Sequence, residues 1–198
     1  MISKQIKSKE RVAENGEVFT NEREVNAMLD MVKQETERIE SRFLEPACGN
    51  GNFLVAILKK KLSRALSIGE NIDRLFVIAV SSIYGVDIQE DNVLESRNRM
   101  LNIMTQAYKS HIGIEMPSCV VNAVSSILKR NIICGNMLTA ESADGQPLIL
   151  CEWDIKDSGY VICKEYHFSD LIEANGECNK YISKHRYSWL VEERVKVA

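Results

Sequence analysis

No apolar run in this chain approaches the roughly 18 residues that a membrane-spanning helix needs, so nothing in it is expected to cross a bilayer. The opening stretch, MISKQIKSKERVAENGE, is polar and lacks the apolar segment of a secretory leader. No Cys-x-x-Cys pair occurs among the six cysteines (48, 119, 134, 151, 163, 178), and the three histidines (111, 167, 185) add no zinc-finger spacing, so no metal site is expected. Several cysteines lie inside apolar runs, such as Ile132-Ile133-Cys134 and Val161-Ile162-Cys163. They read as small buried hydrophobes in a reducing, cytoplasmic compartment. Internal repeats and low-complexity tracts are absent. An excess of positive charge is also missing. Lys and Arg number 25 against 28 Asp and Glu, for a net charge of −3, so the chain lacks the basic footprint of a self-sufficient nucleic-acid binder. Three local basic clusters stand out: Lys4, Lys7, Lys9 and Arg11; Lys59, Lys60 and Lys61; Lys129 with Arg130. Each is expected to be a solvated face.

What is present suits a globular chain. Apolar residues make up 45 % and charged residues 27 % of 198 residues, enough to bury a core without a covalent staple. Residues 22–40 carry Val25, Met28, Leu29, Val32 and Ile39 at helical spacing behind a capping Asn21. A short strand is expected over 42–45. A second amphipathic helix spans 52–66, with Phe53, Leu54, Ile57, Leu58 and Leu62 on one face and lysines on the other. Residues 72–80 fit a helix or an extended run, and 119–128 are equally ambiguous. Strands are expected over 83–88 and 131–134, with a long helix between them over 91–108, facing Val93, Leu94, Met100, Leu101 and Met104 inward. Residues 146–152 and 160–168 read as a hairpin turning at Asp157-Ser158-Gly159. Ser169-Asp170 could cap a short helix. Residues 179–195 read as a final amphipathic helix with Tyr181, Ile182, His185, Trp189 and Leu190 as its stripe. Alternating strands and helices in the middle of the chain imply parallel pairing.

The stretch LEPACGNGNFL (residues 44–54) places a glycine turn between a strand and a helix, with a carboxylate at its mouth. Glycines there permit positive φ and let a ligand approach the backbone, while the free N–H groups of the helix start face it. The patterns G-x-G-x-x-G and G-K-[ST] are both absent. Glu45 would repel a phosphate and attract an ammonium. Asp87, at the end of the next strand, is placed to accept hydrogen bonds from a ribose diol. Gly135-Asn136-Met137, after the third strand, could flank an adenine whose amine bonds Asn136. An amino acid, a ribose and an adenine together describe S-adenosylmethionine.

Four motifs in order resemble the amino-type, adenine-N6 DNA methyltransferases of restriction–modification systems: NGEVFTNEREVNAML (15–29), LEPACGNGNFL, IYGVDIQEDNV (83–93) and NIICGNML (131–138). Asn21 stands where the first motif usually has proline, and Asn136 where an aspartate is commoner. The resemblance covers residues 15–140 and implies a Rossmann-like class I methyltransferase fold, truncated to three parallel strands. Residues 1–40 would form an N-terminal helical segment carrying a cofactor motif, 41–140 the cofactor-binding core, and 141–198 a hairpin and helix, all in one compact domain. Phe19 and Thr20 would touch the cofactor, Glu45 its amino-acid end, Gly49 and Gly51 its backbone approach, Asp87 its ribose and Asn136 its adenine. Pro46, Ile88 and Met137 would sit beside them. Cys48 reads as a small filler rather than a nucleophile.

The family's catalytic [DNS]-P-P-[YF] motif, which holds a flipped base, has no counterpart. The prolines stand at 46, 117 and 147, never adjacent. In the region where the motif belongs, Trp153 could stack on a base and Asp154 could accept from an amine; both are weak substitutes. The resemblance therefore implies methyl transfer to DNA in concert with a partner methylase or specificity subunit. The alternatives are methyl transfer to RNA, protein or a small molecule, or an inactive interaction module whose tail forms a homodimer or partner surface.

Overall fold

A computed structural model describes residues 6–156, 160–174, 178 and 181–188. Its centre is a three-stranded parallel sheet. β1 (Phe43–Glu45) pairs with β2 (Ile83–Asp87), which pairs with β3 (Ile132–Cys134), in the order β1-β2-β3. All five residues of β2 are buried, as a central strand covered on both faces requires. Two helices follow each of the first two strands: α4 (Asn52–Ile68) and α5 (Ile72–Ser81) after β1, α6 (Glu90–Ile112) and α7 (Ser118–Asn131) after β2. The result is a mixed α/β fold, compatible with a Rossmann-like core.

One face of the sheet packs against α4. Gly85 makes this close approach possible, because a Cβ there would lie 2.8 Å from Leu54 Cδ1 and 3.1 Å from the Cys48 side chain. On the other face, Tyr84 and Val86 pack with Leu148, Leu150 and Phe168. Leu148 leads into, and Leu150 and Phe168 belong to, a unit made of a second, antiparallel sheet with a short helix between its last two strands: β4 (Ile149–Ile155), β5 (Tyr160–His167), α8 (Phe168–Glu173) and β6 (Ser183–Ser188). The Tyr84 hydroxyl donates to the Cys151 carbonyl at 2.6 Å and stitches the two sheets together.

The structure resolves both ambiguous segments as helices. α5 buries Phe76, Val77, Ala79 and Val80, and α7 buries Val120, Val124, Ile127 and Leu128 at three-to-four spacing. The helix expected over 22–40 divides at Val32 into α2 (Glu22–Met31) and α3 (Lys33–Thr36). The turn brings Thr36 and Ile39 to the core and leaves Met28 and Val32 exposed. Leu94 is likewise 56 % exposed, because α6 turns Val93, Met100 and Met104 inward. α1 (Lys9–Asn15) precedes α2 and is capped by the Ser8 hydroxyl.

Two expectations are corrected. Lys61 does not belong to a solvated lysine face. It is fully buried, and its ammonium donates to the carbonyls of Arg38, Ile39 and Ser41 at 2.6–3.2 Å and to Ser82 Oγ at 2.8 Å. The final helix is not formed over 183–188. That segment pairs with β5 as an antiparallel strand, from Glu165↔Ser183 to Tyr160↔Ser188. Trp189 and Leu190, and the expected turn at 157–159, lie outside the described residues. Among the described residues, no helix is long and apolar enough to cross a membrane.

Candidate functional site: a cleft at the carboxyl edge of the parallel sheet

The ends of all three parallel strands open into a cleft of about 470 Å³. Its walls are the turn after β1 (Pro46 to Asn50), the segment after β2 (Asp87 to Gln89), the loop after β3 (Gly135 to Leu138) and the N-terminal stretch Gly16 to Thr20. The volume is in the range of a pocket for a cofactor-sized ligand.

Asp87 organises the floor. It is only 9 % exposed, and its Oδ2 accepts the Gly49 N–H at 2.8 Å. Its Oδ1 accepts the Gln89 N–H at 2.9 Å and the Asn92 side-chain amide at 3.2 Å. One carboxylate thus ties the glycine turn to the start of α6. The turn is held from other sides too. Cys48 N–H donates to the Val86 carbonyl and Ser96 Oγ to the Gly49 carbonyl, while Arg99 reaches the Asn50 carbonyl at 2.6 Å. Gly49 and Gly51 have φ of +51° and +87°, the left-handed region that side chains resist. A Cβ on Gly49 would crowd the Phe19 ring at 3.0 Å, and one on Gly51 would lie 2.7 Å from Ser96 Oγ.

The N-terminal stretch is clasped over this floor by a polar chain. Arg11 bonds Glu17 and Asp91, Lys7 bonds Asp91 and the side-chain Oδ1 of Asn92, and the Asn92 side-chain N–H groups bridge Glu17 and Asp87. The Arg11 guanidinium and then Lys7 hold the Asp91 carboxyl well below the usual carboxylate range. Phe19 is buried against Gly49, and the Thr20 carbonyl accepts from the Asn52 amide at 2.8 Å.

Of the residues expected to bind a cofactor, Phe19, Thr20, Pro46, Gly49, Asp87, Ile88, Asn136 and Met137 all line this cleft. Glu45 and Gly51 are not on its wall. Gly51 is buried beneath Ser96. Glu45 ends β1 half-buried, its Oε1 3.4 Å from the Ala47 N–H, and burial pushes its carboxyl up. Both acids still act on the same spot. Burial raises the Cys48 thiol to about 12, and Asp87 and Glu45 add to that by opposing its ionisation. Cys48 is therefore a neutral filler, with no thiolate to serve as a nucleophile. Asn136 Oδ1 accepts the Leu138 N–H at 2.9 Å and shapes the loop after β3.

Trp153 and Asp154 are not brought to the cleft. Trp153 Nε1 donates to Asn131 Oδ1 at 2.7 Å. The Asn131 amide in turn caps the Ser81 and Ile83 carbonyls at the opposite, amino edge of the sheet. Asp154 pairs with Lys156. The hydrogen-bonding demand of a partly buried indole explains this placement better than base stacking does.

Sequence reasoning missed Glu17, Asn50, Asn52, Gln89 and Asn92. Glu17 and Asn50 line the cleft, and their buried Oε1 and Oδ1 have no hydrogen-bond partner among the described residues. Val18, Ile88 and Leu138 leave exposed apolar surface at the rim, suited to a flat ring. Several residues of the basic clusters are paired with acids. Lys7 and Arg11 face acids, Lys59 and Lys60 pair with Glu22 and Asp30, and Arg130 faces Glu165. No protein-family model, curated protein or solved structure matches the chain.

Proposed function

We propose that the cleft binds S-adenosylmethionine and that the chain is a methyltransferase-like protein related in design to the adenine-N6 DNA methyltransferases. The observation that carries this reading is Asp87. It is a buried carboxylate at the end of the central parallel strand, bonded to the glycine turn of the neighbouring strand and lining an open cleft. A carboxylate has four lone-pair sites, and three are engaged here, so one remains for a ribose hydroxyl. Glu45 adds negative potential toward the ammonium end, and the donor-seeking Glu17 and Asn50 oxygens suit hydroxyl and amine groups. The apolar rim at Ile88, Met137 and Leu138 suits the adenine, with Asn136 beside it.

Methyl transfer needs an acceptor to attack the methyl carbon in line as the thioether leaves, and it needs a group that orients the acceptor's lone pair. Trp153 and Asp154, the two residues expected to play the second part, lie at the far edge of the sheet and not in the cleft formed by the described residues. This favours a chain that holds the cofactor while a partner, a methylase or specificity subunit on DNA, supplies the acceptor site. Transfer to RNA, protein or a small molecule is the alternative, and a fold retained only for interaction is the reading without chemistry.

Titration calorimetry with S-adenosylmethionine tests the proposal. One equivalent should bind; Asp87→Ala should abolish detectable heat and Glu45→Ala, off the cleft wall, should weaken binding, while the folded spectrum persists. Absence of binding to the intact chain sinks the cofactor reading. Labelled methyl transfer to DNA, RNA and protein, with and without candidate partner chains, then separates the substrate classes.

A further inference from the structure

The antiparallel sheet gathers a second set of reactive side chains, remote from the cleft in sequence and in function. The sulfurs of Cys151 on β4 and Cys163 on β5 and a carboxylate oxygen of Glu165 on β5 all lie within 4.8 Å of one another. Strand register explains the cluster. Glu165 is directly opposite Cys151, Cys163 is one diagonal step away on the same face, and His185 on β6 is directly opposite Cys163. His185 Nε2 is 3.7 Å from Glu165 Oε2, and Ser183 Oγ lies 3.0 Å from the same ring nitrogen.

We propose that Cys151, Cys163, Glu165 and His185 form a binding site for one borderline-soft divalent cation of the zinc type. Two sulfurs, one carboxylate oxygen and one imidazole nitrogen make a four-coordinate donor set that zinc accepts readily. The geometry favours a metal over a disulfide. Diagonal cross-strand positions hold their Cα atoms about 7–8 Å apart, too far for an unstrained S–S bond. Two thiolates on a tetrahedral ion, by contrast, sit roughly 3.8 Å apart, given a Zn–S bond of about 2.3 Å. Both cysteines are buried, whereas Glu165 and His185 are partly exposed, which leaves an entry path from solvent. Binding would release the two thiol protons to solvent and replace them with metal–sulfur bonds. The site would then carry one net negative charge: two thiolates and a carboxylate against a dication. Arg130, with Nε 3.7 Å from Glu165 Oε1, is placed to balance it. Closure of the Glu165 and His185 side chains onto the ion would pin β4, β5 and β6 together, the usual task of a structural zinc. The linear spacing hides the set, since 12, 2 and 20 residues separate the four ligands in order.

The test uses the reduced full-length chain, stripped of metal with a chelator and titrated with Co²⁺ and Zn²⁺. One equivalent of Co²⁺ should bind and give a thiolate-to-cobalt charge-transfer band, and Zn²⁺ should displace it and raise the melting temperature. The Cys151→Ser/Cys163→Ser double variant should lose the band. Glu165→Gln and His185→Ala, at partly exposed positions where folding is not at stake, should each weaken binding by roughly 10–100-fold or more. A missing thiolate band in the wild-type chain overturns the site. So does a band that survives in the double variant, or Glu165→Gln and His185→Ala variants that bind as tightly as wild type. None of these readouts involves S-adenosylmethionine, so this proposal and the cofactor proposal fail independently.

Discussion

Lys61 is the residue whose environment departs furthest from its sequence context. Burial lowers its amine to about 8, while the three carbonyls and Ser82 Oγ around it favour the protonated form. Replacement by Met keeps the volume but removes the donor to the Ser41 carbonyl and leaves the Ile39 carbonyl with only Ser82 Oγ, so denaturant unfolding at neutral pH should show a loss of about 1–3 kcal/mol. Between about pH 8 and pH 10.5 the unfolded chain still holds the proton that folded Lys61 has shed. Unfolding then takes up a proton, so the wild-type chain should become more stable as pH rises through that window; the Met variant should not. Gly51→Ala combines a positive φ with a collision against Ser96. It should cost roughly 1–3 kcal/mol, measured as a lowered midpoint, and Ser96→Gly should recover only the steric part. Residues such as Gly49 and Asp87, which line the cleft, were legible because strand, glycine turn and strand-end acid come in order. Lys61 was not, because nothing in the run Lys59-Lys60-Lys61 distinguishes the lysine that turns toward the carbonyls of another segment.

At the scale of elements, the antiparallel sheet is where sequence pattern and tertiary pairing diverge. Tyr181, Ile182, His185, Trp189 and Leu190 recur at helical intervals, yet β5 offers an unpaired edge to residues 183–188. That strand, Ser-Lys-His-Arg-Tyr-Ser, is polar on both faces and so lacks the alternation that would have revealed it. Its side chains find polar and aromatic partners instead: Arg186 lies 3.7 Å over the Tyr160 ring, and Tyr187 meets Arg130. Amide exchange should therefore show protected N–H groups at alternate positions of 183–188, whereas a helix there would protect successive ones. The parallel strands were readable for the opposite reason. β2 and β3 are short apolar runs closed by Asp87 and Gly135, punctuation that survives any tertiary context. α5 and α7 were ambiguous because their apolar runs also satisfy a buried strand; only the neighbours α4 and α6 decide for helix.

Across the whole molecule, the N-terminal stretch matters to the cleft through charge. Arg11, Lys7, Asp91, Asn92 and Glu17 fasten it to the start of α6, and the last link of that chain is Asp87 itself. Arg11→Met should weaken binding of the proposed ligand, S-adenosylmethionine, by roughly 5–30-fold, the equivalent of about 1–2 kcal/mol, with a small change in unfolding midpoint. Acidification should loosen the same clasp. The folded Asp91 carboxyl lies below its unfolded value, so its contribution is complete above about pH 4 and fades as pH falls further; exchange of the 6–20 amides should quicken there first. Parallel pairing and the meeting of strand-end residues at one edge could be read from motif order. This clasp could not, since its partners stand some eighty residues apart with only their charges to relate them. The Gly49 N–H is already bonded to Asp87 before anything enters the cleft. A ligand arriving there meets a loop whose entropy was surrendered during folding. Its capture should resemble a key entering a fixed lock, with fast single-step kinetics and a heat-capacity change accounted for by the ligand's own desolvation.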